Sequence, residues 1–473
     1  MALLMLRPAL KKTKPVKFAQ NSTLVNELAR LASAGIPADQ LRAAAAQLEQ
    51  LRANLPQAPG EPAIRMHLEY WAQLTQLADR VDNLAMLGVK FEWYDAWLPP
   101  ISMPGGPSPS HGDTALESAA VLFNTATLAM QYGEACYLRA NAENYRAAAH
   151  SFMHAAGLFA AVHERVKGTP DRVSADLREP CLNMLKHLAL GHAQRCFYDS
   201  AVAQDKKMHL AAIAAATADF YEAAFDAVRD KGSEMSKLLN RSNNYGKWTA
   251  VLMVDLLYYR AMASLHAAAM LESTRGETIA TELLRLEQAK DMLQRAAKKA
   301  NKNSCVAQKP NVEAALEKVE SALENAQREN NCVYNVLPGE LQKMRENREP
   351  QPVKGLDMVL LKSENLGDPQ SNLAGFGGPP VAPHPIFECI LPAEIRHTAD
   401  EIRLQRSGKI QVSLARARAL FLGACVCVFT LAVGLTRHSL GSCVCVSRRP
   451  PPSPQTRALL CGQTYPEAMA IKT

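Results

Sequence analysis

The sequence predicts a mainly α protein, a helical solenoid with a tetratricopeptide-like core and a small β-sheet. Three observations point there. Ala, Leu and Lys dominate the first 330 residues and β-branched residues are sparse, a balance that favours helix. Apolar residues recur at helical spacing from Thr114 to about Asn330 with short connections, so neighbouring helices stack as antiparallel pairs. Two short stretches alternate apolar and polar residues instead and supply the sheet.

The first of these, Pro15–Phe18, sets Val16 and Phe18 on one face and Lys17 on the other, as in an edge strand. Ser22–Gly35 follows as a helix carrying Leu24, Leu28 and Leu31. Pro37–Leu55 opens on a first-turn proline, and Pro62–Val81 carries Leu68, Leu74 and Leu77. Lys90–Trp97, "KFEWYDAW", alternates Phe91 and Trp93 and reads as the second strand. Leu98–Gly112 is a Pro/Gly/Ser loop, and Thr114-x-x-Glu117 is a capping-box pattern just ahead of an apolar run. Helices are expected at about 114–135, 142–167, 178–203, 207–230, 235–272, 276–303 and 310–333. No clean repeat of about 34 residues runs through them, so any repeats are degenerate. After Tyr334, Pro and Gly exclude long helices, and the chain reads as a tail wrapping back over the helical body. The expected divisions are a domain over 1–411, with its helical core at about 114–333 and its wrapping tail at about 334–411, and a separate segment over 412–473.

The 473 residues are 48% hydrophobic, 21% charged and 6% aromatic, the balance of a globular protein. A net charge of +7 permits contact with anionic lipid or acidic proteins and shows no concentrated nucleic-acid stripe. Six cysteines (Cys136, Cys181, Cys196, Cys305, Cys332 and Cys389) lie singly and read as buried small hydrophobes of a reduced protein. The opening "MALLMLRPALKKTKPVKF" has too short an apolar run for a secretory signal, although its freedom from acids until Glu27 leaves a transit peptide open.

The segment from Val412 changes character. Ala419–Thr436 carries no charge and is flanked by Arg416, Arg418 and Arg437, enough for a marginal membrane span. A second reading is preferred. Val412-Ser413 can be encoded by a splice-donor sequence, and each "CVCV" is what a translated GT repeat gives, as in a retained intron. The Cys-x-Cys pairs lack an ordered framework and are assigned no metal. Enzyme signatures are absent: there is no P-loop, dinucleotide fingerprint, zinc-protease or nucleophile-elbow motif. Cys443-x5-Arg449 has the bare spacing of a cysteine phosphatase loop but no glycines to wrap a phosphate. His150 and His154 are spaced as a helical pair with no nearby carboxylate to complete a zinc site, so they read as partly exposed polar residues. No catalytic residue, metal or cofactor is assigned.

Lys206–Tyr221, "KKMHLAAIAAATADFY", poses a separate question. Leu210, Ala214, Thr217, Tyr221 and Phe225 form one stripe, the natural core face. Lys206, His209, Ile213, Ala216 and Phe220 form a second. Two apolar stripes mean a helix sandwiched inside the solenoid or one carrying an exposed groove, and spacing alone favours the sandwich.

Several segments together resemble the BRO1 domain of Alix-type proteins. They are "FEWYDAW" with Ala115–Gly133, Tyr145–Glu164, "LALGHAQRCFYDSAV" with "DFYEAAF", then Glu329–Pro338, Pro352–Gly355 and Pro385–Pro392, in the family's order over about residues 5–411. The resemblance implies a curved BRO1-type solenoid and a groove that binds the amphipathic C-terminal helix of Snf7-type ESCRT-III subunits. Carried over by motif, the groove includes Phe197, His209 and Ile213, with Leu210 as an adjacent substitute and Arg146 as a basic neighbour. The family usually has an aliphatic where His209 stands, so docking here is expected to be weaker and sensitive to pH. Tyr334 matches a tyrosine that SH2-type partners recognise when phosphorylated, but "YNVLPG" has no acids after it, and a buried anchor for the tail is expected instead.

The resulting reading is a non-enzymatic endosomal adaptor in multivesicular body sorting. In it the Leu210 stripe faces the core and the Ile213 stripe faces the partner helix. The protein would be cytoplasmic and peripheral on endosomes, with a single membrane segment at 419–436 if the C-terminal tail is genuine. The alternative is a BRO1-type signalling scaffold of the pH-response or Rho kind.

Overall fold

The computed structural model describes residues 5–32, 36–81, 84–97, 113–168, 173–243, 245–271, 279–302, 305, 307–356, 385–407 and 409–413. The loop Leu98–Gly112 and the segment 419–436 lie outside them. Two compact units are present, 1–398 and 399–473; the second is helical at 399–407 and 409–413. The first unit holds α1 (Ser22–Leu31), α2 (Ala38–Ala53), α3 (Glu61–Ala78), α4 (Thr114–Tyr137), α5 (Ala142–Val166), α6 (Glu179–Ala203) and α7 (Lys207–Arg229). It continues with α8 (Glu234–Arg241), α9 (Tyr245–Leu271), α10 (Ile279–Lys302), α11 (Lys309–Glu329), α12 (Pro338–Glu346) and α13 (Pro385–Glu388). From α3 onward each long helix packs on the next, with α7 meeting α9 and the short α8 tucked against α6, α7 and α9.

α4 sets the centre. Every residue from Leu116 to Met130 is buried, so the helix is covered all round. Its polar side chains are satisfied without water. Thr125 and Thr127 donate to the carbonyls of Val121 and Phe123 at 2.8 and 3.0 Å. Asn124 holds the N-terminal segment in a two-way bond, accepting from Lys11 N at 2.7 Å and donating to Lys11 O at 3.0 Å.

Glu117 does not close a capping box. The N-cap is Asp113, which accepts from Ala115 N at 2.8 Å. The Glu117 carboxylate turns inward and is fully buried. It accepts from Arg52 Nε at 2.8 Å, Tyr70 OH at 2.9 Å and Trp93 Nε1 at 2.5 Å. Arg52 in turn donates to Lys14 O at 2.8 Å and Thr13 Oγ1 at 2.6 Å. A buried charge needs such an environment, and here it gathers α2, α3, α4 and both expected strands at one point.

That gathering explains why the β-sheet does not form among the described residues. Pairing shrinks to isolated bridges, Thr13 with Trp93 and Ala32 with Ile390. Arg52 takes the Lys14 carbonyl, and the N–H groups of Phe18 and Ala19 go to the Glu49 carboxylate at 2.9 and 3.1 Å. Backbone groups captured by side chains cannot extend a ladder. The helix expected over 235–272 is two helices, broken where Asn243 adopts a φ of +56°. α11 stops at Glu329 and passes into a π-turn, Asn330–Tyr334. Cys332 and Cys389 are exposed rather than buried, while the other four described cysteines are buried as expected. Among the described residues no helix is long and apolar enough to cross a membrane.

The burial of Glu117 makes a graded prediction, checked by urea unfolding. Glu117→Ala leaves Arg52 buried without its carboxylate and costs about 3–5 kcal/mol. Asp113→Ala removes only a cap and costs about 1 kcal/mol. Thr114→Ala changes stability by less than about 0.5 kcal/mol, because no capping box depends on it.

Candidate protein-binding groove

α5, α6 and α7 pack side by side and carry the residues singled out by sequence. Gly191 lets α6 and α7 approach: a Cβ there would lie 3.0 Å from the Tyr221 ring. Tyr221 OH meets His192 Nδ1 at 2.9 Å, and His192 Nε2 meets Leu6 O at 3.0 Å. Burial pushes the His192 imidazole down to about 3, so it stays neutral and can accept as well as donate.

Beside it lies a buried polar centre that sequence reasoning missed. Arg195 is fully buried, with its guanidinium 4.7 Å from the Tyr137 ring centre. It donates to Tyr137 OH from Nε at 3.2 Å and from Nη2 at 3.1 Å. Tyr137 OH donates to Asp199 at 2.5 Å. Asp255, buried on α9, is raised to about 7 by desolvation, against the pull of Arg195. The clue in sequence was an arginine inside an otherwise apolar helix, "GHAQRCF".

The alanine-rich α7 meets the chain's own tail. Leu356 N donates to Ala212 O at 2.8 Å, and Gln194 Nε2 donates to Leu356 O at 3.0 Å. Gly355 sits so close that a Cβ on it would lie 3.0 Å from the Ala216 Cα and N and 2.8 Å from Asp219 Oδ2. Gly355–Leu356 is thus a strap laid between α6 and α7, possible because Gly355 and Ala216 both lack bulk. Leu356 remains 40% exposed.

The predicted residues divide accordingly. Leu210 is buried, as its stripe predicts. Ile213 is also buried, at 2% exposure, and Ala216 at 4%, so the second stripe is not an open apolar face. The helix is sandwiched, and the strap supplies part of the cover. Phe197 on α6 is half-buried and packs on the core, and His209 on α7 is exposed. Arg146 is exposed near the start of α5. Tyr334 is half-buried in the π-turn and packs on the core, away from these three helices in sequence. His150 and His154 approach each other at 3.1 Å, and the described residues hold no cluster of three metal-ligating side chains.

Comparison with known proteins adds context. The family model for the BRO1-like domain matches residues 5–407. The human tyrosine-protein phosphatase non-receptor type 23 is 26% identical over 369 residues, covering 77% of this chain and 20% of that protein. The Arabidopsis thaliana vacuolar-sorting protein BRO1 is 31% identical over 192 residues, covering 38% of this chain and 22% of that protein. The chain therefore spans about a fifth of the length of these curated relatives. Among solved structures, the ALIX BRO1 CHMP4C complex superposes with a TM-score of 0.62 at 22% identity, covering 75% of this chain and 94% of that one. At that identity the likeness establishes the fold.

Two outcomes follow from the buried groups. Asp255 holds its proton in the folded protein up to about 7 but loses it in the ordinary carboxylate range when unfolded. Its contribution to stability is greatest in acid and is lost as pH rises towards 7. Asp255→Asn flattens that part of the stability–pH curve and raises stability above pH 7, as read by thermal melts across pH. Gly355→Ala cannot seat against Ala216, so amide exchange at Leu356 speeds up while α4 stays protected.

Proposed function

The chain belongs to the BRO1-like domain family, and on that premise we propose that it is a non-enzymatic adaptor that docks the amphipathic C-terminal helix of a Snf7-type ESCRT-III subunit. It acts peripherally on endosomes, in sorting to multivesicular bodies. The observation that carries the reading lies beside the strap. Exposed Leu356 is held between Ala212 and Gln194, and one turn away on the two helices stand exposed His209 on α7 and half-buried Phe197 on α6, from three different segments. Apolar side chains with a polar edge suit an amphipathic helix. Leu210 and Ile213 are buried and do not face the partner, and Arg146 offers a cation on α5. The solved ALIX complex with CHMP4C, on the same fold, supports the kind of partner.

Titrating the full chain with a Snf7-type C-terminal helix peptide tests this. Phe197→Ser and Leu356→Asp each weaken binding by about 2 kcal/mol, roughly thirtyfold, the scale of an interface anchor. His209→Leu tightens it by enlarging the apolar contact. No binding by the folded wild type would refute the reading.

A further inference from the structure

A second surface lies at one end of the helix layer. The connections between α4 and α5 and between α6 and α7 are short, so these helices are antiparallel and both turns emerge at the same end. The Tyr137–Asp199 hydrogen bond, 2.5 Å, ties the last turn of α4 to the last turns of α6. Tyr198 OH meets His266 Nε2 at 2.9 Å, which brings the end of α9 to the same level.

Each of these ends presents an apolar side chain to solvent: Leu138 at 53% exposure, Val202 at 48%, Met208 at 73% and Met270 at 42%. Such residues are unremarkable singly, but four at one rim are not scattered. Exposed cations stand beside them. Arg139 follows Leu138, and Lys206 and Lys207 precede Met208. The acids nearby are Glu143 and Asp205, the latter 3.7 Å from Lys207. Both turns are closed by a residue in the left-handed region, Ala140 and Asp205, each at φ +50°. Turns this tight hold the apolar tips outward and keep them from folding back onto the body.

We infer that this rim rests on an anionic membrane surface. Protruding apolar tips enter the acyl boundary while adjacent Arg and Lys side chains reach the headgroups, an arrangement that suits a lipid plane better than a groove-bound helix. The inference rests on the peripheral membrane location proposed above and is independent of the groove, since Phe197 and Leu356 take no part in it.

The test is co-sedimentation of the full chain with phosphatidylcholine vesicles, with and without phosphatidylserine. The wild type should partition to the phosphatidylserine vesicles and release in high salt. Leu138→Asp combined with Val202→Asp, and separately Lys206→Glu combined with Lys207→Glu, should each lower that partitioning about tenfold while helix content and melting are retained. Residues 412–473 are common to all variants, so a difference belongs to the rim. Phe197→Ser should lose the helix peptide yet bind vesicles as the wild type does, which separates failure of the groove from failure of the rim. Folded rim variants that partition like the wild type, or a wild type indifferent to phosphatidylserine, would overturn the inference.

Discussion

The rest of the fold depends on the buried Glu117 carboxylate. It sits near the start of the most completely buried helix, where water cannot stabilise it, and three donors from α2, α3 and the 91–93 segment must converge to do so. Once they converge, α4 has a fixed orientation relative to everything on its N-terminal side. Lys11, held by Asn124 two turns further along α4, repeats the arrangement with opposite sign, its ammonium buried against Asp176. These contacts gain little net energy, since desolvation offsets most of the attraction. What they impose is uniqueness: an alanine-rich bundle has many ways to slide, and a buried ion with directional donors has few.

Much of this architecture was legible from periodicity. The helices from α3 to α7, with α10 and α11, stand within a few residues of their expected places, because apolar spacing over about twenty residues outweighs local noise. What was not legible was competition for the same polar groups. Thr114-x-x-Glu117 has the letters of a capping box, but a carboxylate can serve a helix terminus or a buried arginine, and sequence does not say which. The first expected strand failed for the same reason, since Glu49 took the Phe18 N–H and Arg52 holds the Lys14 carbonyl just ahead of it, which leaves Lys90–Trp97 only a short bridge to residues 12–14. Asn243 broke a helix that composition alone would have continued.

The groove was legible in its parts and not in its surface. Phe197 and His209 are accessible, whereas Ile213, on the same expected stripe as His209, is covered. A helical wheel shows which residues share a direction but not what lies in that direction. Part of the cover on this helix comes from Gly355 and Leu356, which meet Ala216 and Ala212 from more than a hundred residues away in sequence. The absence of a side chain at Gly355 matches the smallness of Ala216, so two weak signals of low bulk were one contact read from both sides.

The N-terminal segment and the strap close on neighbouring positions of α6. His192 holds the carbonyl of Leu6, and two residues on, Gln194 holds the carbonyl of Leu356. During synthesis the first closure is available once α6 has emerged, but the second waits for the chain beyond α12. Closing so long a loop is entropically costly and comes late. A nascent or shortened chain would therefore display α6 and α7 with the Ala212 carbonyl unpaired and no Leu356 beside Phe197. The binding surface thus doubles as a checkpoint on synthesis: a partner that requires the strap reads whether translation has passed α12.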